Sequence, residues 1–182
     1  MRTESYIALL RAVNIGPRNK IAMADLRDLV AALGFADPRT LVNSGNVVFS
    51  GAVRSSSAIE RQLEAAAKER LKLETVVMVR TRTEWARLVV SNPFRDEAVR
   101  DPGHLLALLL KDSVAPARVK ALQSAIVGRE RVGGDRGHVY AVYPDGVGRS
   151  KLTLAVIEKH LGVPATGRNW NTVLRLKELA CG

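Results

Sequence analysis

The chain has 182 residues, 47% of them hydrophobic, and 28 Lys and Arg against 18 Asp and Glu give a formal net charge of +10. That is enough apolar material for a packed core without staples, and the single cysteine, Cys181, excludes an intrachain disulfide and a cysteine zinc cluster. The positive balance favours anionic partners, but it is spread evenly: residues 1–100 carry 16 basic side chains against 11 acids, and residues 101–182 carry 12 against 7.

No basic tail or run accounts for the charge, and 20 of the 28 basic residues are Arg, a bias that genome composition alone also produces. The apolar run at residues 6–10 is too short to span a bilayer and lacks a signal peptide's basic start and cleavage site. A cytoplasmic protein with no membrane association is expected.

Residues 5–12 are apolar, with a β-branched residue and no helix cap, which predicts a strand. Residues 13–20 predict a loop by their Gly, Pro and Asn content. Met23, Leu26, Val30 and Leu33 then recur at helical spacing, with Gly34 as a left-handed stop. Residues 39–42 and 47–50 predict two strands joined by the turn Asn43-Ser44-Gly45-Asn46. Ser57 and Glu60 predict a capping box for a helix to about residue 71, with Ile59, Leu63 and Ala67 inward. Residues 75–80 alternate and are β-branched, a further strand. Strand, helix, strand, strand, helix, strand is the ferredoxin-like split βαβ order. An extra helix from about residue 83 presents Trp85, Leu88 and Val89 to a core and ends at Asn92-Pro93.

Residues 95–103 predict a charged connector between an N-terminal half, 1–94, and a C-terminal half, 104–182. In the second half, residues 104–110 predict a strand. Pro116 opens a helix that buries Val119, Leu122 and Ile126 and stops near Gly128. Residues 131–133 and 138–143 predict a hairpin around residues 135–137. A helix over 150–161 presents Leu154, Ile157 and Leu161 inward and ends at Gly162, and a last helix runs from residue 168 to about 180. The expected class is therefore α+β: two ferredoxin-like, βαββαβ-type halves, the second diverged to βαββαα with an extra C-terminal helix, either separate or packed as one domain.

Two segments concentrate groups suited to an anion. Asp145-Gly146-Val147-Gly148 is a Gly-rich turn, followed by Arg149, Ser150 and Lys151 at an expected helix start. Glycines permit close backbone approach, and a helix N-terminus offers free N–H groups and partial positive charge. The order is neither a P-loop nor a complete dinucleotide fingerprint, and a hairpin exit with a Ser cap explains it as well. The second segment places Arg168, Asn169 and Thr172 at the start of the last helix, with Arg168, Thr172 and Arg175 on one face and Trp170 inward as a core anchor. A plain capped helix start is the competing explanation. The N-terminal half adds Arg11 and Asn14 beyond the first strand and Asn43, Ser44 and Asn46 in the hairpin turn. Turn geometry alone favours Asn and Ser there, whereas a cation ending an apolar strand needs a partner or a ligand.

No catalytic set stands out. His104, His138 and His160 lack metal-ligand spacing, no Gly-x-Ser-x-Gly elbow occurs, and no paired carboxylates stand out. No metal or cofactor is expected. A sheet that stacks RNA bases needs aromatics on its central strands; the strand at 47–50 offers only Phe49, and aromatics are 4% of the chain. Phosphate-led contact with nucleic acid stays open.

With these residues in view, the chain resembles the domain of unknown function 1697 family, small bacterial proteins without an assigned activity. The resemblance rests on Tyr6-Ile-Ala-Leu-Leu-Arg-Ala-Val-Asn-Ile-Gly16 with Asn19-Lys20 and Met23-x-x-Leu26, on Leu33-Gly34-Phe35, and on Asn43-Ser-Gly-Asn-Val-Val-Phe49. It continues through Asn92-Pro-Phe94, Tyr143-Pro-Asp-Gly-Val-Gly-Arg-Ser-Lys151 and Ala165-Thr-Gly-Arg-Asn-Trp-Asn-Thr-Val173. Pro17 stands where the family often has a second glycine, and Gly167 where Ala is common. The resemblance implies an α+β fold of ferredoxin-like parts and no reaction. Three functions remain open: binding an anion, either a phosphate-bearing small molecule or nucleic acid; an enzyme acting on a small phosphorylated or carboxylated metabolite; and a structural or protein-interaction module without ligand.

Overall fold

The computed structural model describes residues 2–17, 19–135 and 137–182. Arg18 of the first loop and Arg136 of the second hairpin turn lie outside the described residues. The chain divides into two units, Met1–Arg87 with Arg175–Gly182, and Leu88–Leu174.

The first unit holds β1 (Thr3–Leu10), α1 (Met23–Ala32), β2 (Ala36–Leu41), β3 (Asn46–Ala52), α2 (Ser56–Leu71) and β4 (Val77–Thr81); α3 (Arg82–Val90) follows, and the division falls within it. The strands form one antiparallel sheet in the order β2-β3-β1-β4, with Ala8 of β1 opposite both Val47 and Val79. Alternate side chains of β1, Tyr6, Ala8 and Leu10, join Val47, Phe49, Val77 and Val79 in a core with Leu26, Leu29 and Val30 of α1 and Ile59, Leu63 and Ala67 of α2. Each large side chain removed from water there contributes roughly 1.5–3 kcal/mol. Ile7, Leu9, Val48 and Met78, on the opposite face, are also buried. A strand closed to water on both faces reads as a continuous apolar run, which is how β1 reads. Phe49 belongs to the helix-side core and contacts Phe35 at a ring distance of 4.6 Å, so it offers no stacking surface to a nucleobase.

The edge strand β4 is closed by carboxylates. The N–H groups of Val77, Val79 and Thr81 donate to Glu64, Glu60 and Glu84, each at 2.8 Å. Glu60 is itself buried and lies 3.7 Å from Arg80. The expected capping box is corrected here: Ser55 is the N-cap of α2, accepting from Ala58 N, and Glu60 serves the strand edge instead.

The second unit contains α4 (Arg95–Arg100), β5 (Leu105–Leu110), α5 (Pro116–Ala125), β6 (Arg131–Gly134), β7 (His138–Val142), a 3-10 turn (Val147–Arg149), α6 (Leu154–Leu161) and β8 (Ala165–Asn169); α7 (Trp170–Cys181) follows, and the division falls within it too. Its sheet has the order β6-β7-β5-β8, the same order as the first when strands are matched along the chain. Leu108, Leu110, Val139 and Ala141 form its core with Val119 and Leu122 of α5 and Ile157 and Leu161 of α6.

The charged segment at 95–103 contains a helix, residues 95–100, with no buried residue to mark it. Two readings of this half are corrected. Residues 165–169 form a strand paired with β5, Ala107 opposite Arg168, so the order is a complete βαββαβ before the last helix. Helix α6 begins at Leu154 with Thr153 as its cap, accepting from Val156 N, so Arg149, Ser150 and Lys151 precede the helix instead of opening it. Both units are ferredoxin-like in topology, and the second carries the extra C-terminal helix.

Candidate functional site

The polar residues singled out from the sequence fall in two places, one in each unit. In the first unit they gather where β1 ends. Asn14 sits at φ 56° and its side chain is fully used: Nδ2 donates to Ile21 O at 2.9 Å and Asn43 O at 2.7 Å, and Oδ1 accepts from Ile21 N. It pins the loop at 13–21 to the β2–β3 turn. Asn46 is completely buried, donating to Leu41 O and to the Ser44 hydroxyl. Gly45 has φ +75°, and a Cβ there would stand 2.4 Å from Val13 Cγ2. Arg11 is half-buried; its N–H donates to Val76 O and its carbonyl accepts from the Thr75 hydroxyl. Asn43 is exposed and lends its carbonyl to Asn14. Arg11, Asn14, Asn43, Ser44 and Asn46 are thus brought together, and Asn14, Ser44 and Asn46 hold the loops in place. Backbone strain gathers here as well: Ala12, Asn14, Asn19 and Val42 all have φ between 51° and 56°, and for a β-branched residue such as Val42 that is an outlier.

In the second unit the sheet end formed by the start of β5 collects the other group. Tyr143 N donates to His104 O, and Trp170 N donates to Pro102 O, so the exit of β7 and the β8–α7 junction both lie against residues 102–104. Gly146, at φ +84°, makes the turn after β7; a Cβ at Gly148 would meet nothing within 4 Å. Arg149 and Lys151 are exposed, and neither is ion-paired among the described residues. Ser150 is committed: its hydroxyl donates to Glu130 and accepts from Leu152 N at 2.9 Å. That bond holds the Glu130 carboxyl below its ordinary range. The other acid of the segment, Asp145, pairs with Arg129 at 2.9 Å. Three cations, Arg129, Arg149 and Lys151, therefore stand against two carboxylates. The hollow beside Lys151, lined by Ala125, Gly128, Glu130 and Leu152, measures about 60 Å³, room for about two waters at ~30 Å³ each. Arg149 and Lys151 face the open surface beside it.

Arg168 is a residue of β8, not of a helix start as expected. It is buried, and its Nη1 donates to the Thr166 hydroxyl at 2.8 Å and to Gly167 O at 2.9 Å. Burial pulls its pKa down to about 10. Asn169 is exposed and caps α7, its Oδ1 accepting from Thr172 N at 2.9 Å. Trp170 is buried, edge-on to Tyr140.

A feature that sequence reasoning passed over lies beside α2 in the first unit, an open hollow of about 380 Å³ lined by Arg61, Glu64, Ala65, Lys68, Glu74 and Thr75. Lys68 meets Glu74 at 2.8 Å, and Glu64 accepts from Val77 N at the β4 edge. His104, weighed in the sequence only as a metal ligand, has its Nδ1 2.7 Å from Asp101 Oδ2. An Asp three residues before a lone His, at a helix exit, was the available signal. Among the described residues no group of three or more His, Cys, Asp or Glu side chains is placed to hold a metal ion, and no helix is long and apolar enough to cross a membrane.

Comparison with known proteins adds fold and family. The conserved bacterial protein SP0830 from Streptococcus pneumoniae has a similar structure, with a TM-score of 0.76 at 20% identity over 98% of this chain and 99% of that one. No curated protein matches the sequence. The model of the family described as Protein of unknown function (DUF1697) matches residues 3–140; the chain belongs to that family.

Proposed function

We propose that this is a cytoplasmic protein that binds an anionic ligand at the turn after β7, through Arg149 and Lys151, with the Gly146 backbone beside them. The observation that carries this reading is the uneven pairing of charge in the segment. Asp145 and Glu130 are engaged by Arg129 and Ser150, while Arg149 and Lys151 are exposed and outside the ion pairs of the described residues. Asn169 caps α7, accepting from Thr172 N, and the buried Arg168 lies in β8, bonded to Thr166 and Gly167; in this reading they support the fold rather than touch the ligand. The loop cluster of Arg11, Asn14, Asn43, Ser44 and Asn46 is a second polar patch whose geometry is set by its own hydrogen bonds.

The test is a thermal-shift and calorimetric screen with nucleotides, sugar phosphates, inorganic phosphate and oligonucleotides. A ligand at 100 times its Kd raises stability by about 2.7 kcal/mol, which is readily seen. A small phosphorylated compound that stabilises the wild type, with the gain lost in Arg149→Ala/Lys151→Ala, supports the reading. Oligonucleotide binding that weakens steeply with salt would assign the site to nucleic acid instead. No ligand from any class, with the double variant as stable as wild type, would leave a structural module and refute the proposal.

A further inference from the structure

Helix α2 has one face in the core of the first unit and one in water. Ile59, Leu63, Ala66 and Ala67 are buried against the sheet, whereas Arg61, Ala65, Lys68, Glu69 and Lys72 are exposed. Two hollows lie along the outer face. One is the hollow of about 380 Å³ described above; the other measures about 670 Å³ and is lined by Ala65, Lys68, Glu69, Lys72 and Glu74. They share Ala65, Lys68 and Glu74, so together they form a trough in which the smallest exposed side chain, Ala65, is common to both parts.

Most of the charges on this face have partners within the unit. Lys68 pairs with Glu74 at 2.8 Å, Lys72 Nζ donates to Glu69 O at 3.0 Å, and Glu64 accepts from Val77 N. The Arg61 guanidinium and the Glu69 carboxylate are different: neither is in an ion pair or a side-chain hydrogen bond among the described residues. Residues four apart share a helix face, so Arg61 stands one turn before Ala65 and Glu69 one turn after it. A lone cation and a lone anion are thus placed symmetrically about a small residue.

We propose that this face is a dimer surface and that its partner is a second copy of the chain, with the two α2 helices packed antiparallel about a two-fold axis at Ala65. A two-fold contact is self-complementary. Here it sets Arg61 opposite the partner's Glu69 and Glu69 opposite the partner's Arg61, two ion pairs from one unpaired couple. The same register sets Lys68 opposite the partner's Gln62 and Lys72 opposite the partner's Ala58, so no like charges meet directly. A parallel pair would oppose each charge to itself, and an axis at Lys68 would bring two ammonium groups together. Helix axes pack about 8–10 Å apart according to the side chains at the crossing, and an alanine there permits the near end of that range. The lysine stems cover apolar surface while their ammonium groups stay in water. The exposed row from Arg61 to Lys72 is about 18 Å long at ~1.5 Å per residue. One helix pair of that length is a small interface, so the dimer is concentration-dependent and weakens with salt. This surface is independent of the anion-binding reading.

Sedimentation equilibrium of the full chain, from about 10 μM to about 1 mM, tests the proposal in the range expected of a small interface. Wild type passes from monomer to dimer across it. Arg61→Glu and Glu69→Arg each raise the dimer Kd about tenfold, because each reversal opposes like charges at two symmetry-related places. The double variant Arg61→Glu/Glu69→Arg returns Kd to the wild-type value, and all three melt as wild type does when monomeric, since both positions are exposed. Register is read by cross-linking in a Cys181→Ser background. Ala65→Cys, on the axis, forms a disulfide dimer on mild oxidation; Lys72→Cys, whose two copies lie about 21 Å apart along the pair, does not. A wild type that stays monomeric throughout overturns the proposal and leaves the trough to a different partner. A dimer indifferent to both single reversals, a double variant no better than the singles, or equal cross-linking at the two positions overturns it as well.

Discussion

Glu60 is the place where a single substitution tests the architecture of the first unit. Its carboxylate accepts from Val79 N at 2.8 Å, it lies 3.7 Å from Arg80, and it is only 5% exposed. Truncation to Ala removes the acceptor and admits no easy water replacement at so closed a position. An orphaned buried donor costs about 1–3 kcal/mol, and the largely buried Arg80 loses its neighbour as well, which brings the expected loss to about 2–4 kcal/mol. Glu60→Gln keeps an oxygen for Val79 N but must find partners for a new amide group, so it costs about 1 kcal/mol. Urea unfolding followed by tryptophan fluorescence measures both. Trp85 is buried in the first unit and Trp170 in the second, so a Trp170→Phe background isolates the signal of the first. A loss below about 0.5 kcal/mol in Glu60→Ala, or equal losses in the Ala and Gln variants, would refute the claim that this carboxylate satisfies the strand edge.

Other substitutions probe separate parts of the structure. Ser55→Ala removes the observed α2 cap and costs about 1 kcal/mol, while Ser57→Ala stays within about 0.5 kcal/mol by the same denaturation assay. Asn14→Ala loses three hydrogen bonds and destabilises by about 2 kcal/mol, and hydrogen exchange accelerates at residues 14–21 and 42–45 if the side chain pins those loops. Gly45→Ala forces a methyl to within 2.4 Å of Val13 at a positive φ, and it costs about 1–3 kcal/mol. Arg131 holds the Glu97 carboxyl below its ordinary 4.5. The folded value is lowered, so the stabilisation is present above pH 4.5 and fades as pH falls through the folded value. Wild type therefore exceeds Glu97→Gln in melting temperature near neutrality and converges with it in acid; a constant gap across that range would count against the ion pair.

Much of the fold was legible because β1, β3, β5 and the faces of α1 and α2 carry uninterrupted apolar periodicity. What escaped did so for physical reasons. β8 reads Ala-Thr-Gly-Arg-Asn, an edge strand whose polar side chains bond within the strand, as Arg168 does with Thr166 and Gly167; nothing in that run alternates. α4 is a six-residue helix with no buried side chain, so it has no stripe to detect. Three consecutive serines, 55–57, stand at the start of α2, and composition does not say which one caps. The Asn-rich segments were legible as turns, but not the fact that Asn14 spends its amide on Asn43 O, 29 residues away, or that Asn46 is fully buried. Nothing in the sequence around Ser150 points to Glu130, its partner 20 residues away.

The first unit is discontinuous: residues 175–182 belong to it, and Arg39 of β2 donates to Leu179 O at 2.8 Å. On a ribosome, that last piece is made only after all of residues 88–174. Domains ordinarily fold as they emerge, N-terminal first, but here the earliest-made unit waits for the latest-made helix turns before its contacts are complete. Nascent chains stalled before residue 175 should hold β1 to β4 in a looser, protease-sensitive state that tightens once the closing segment arrives.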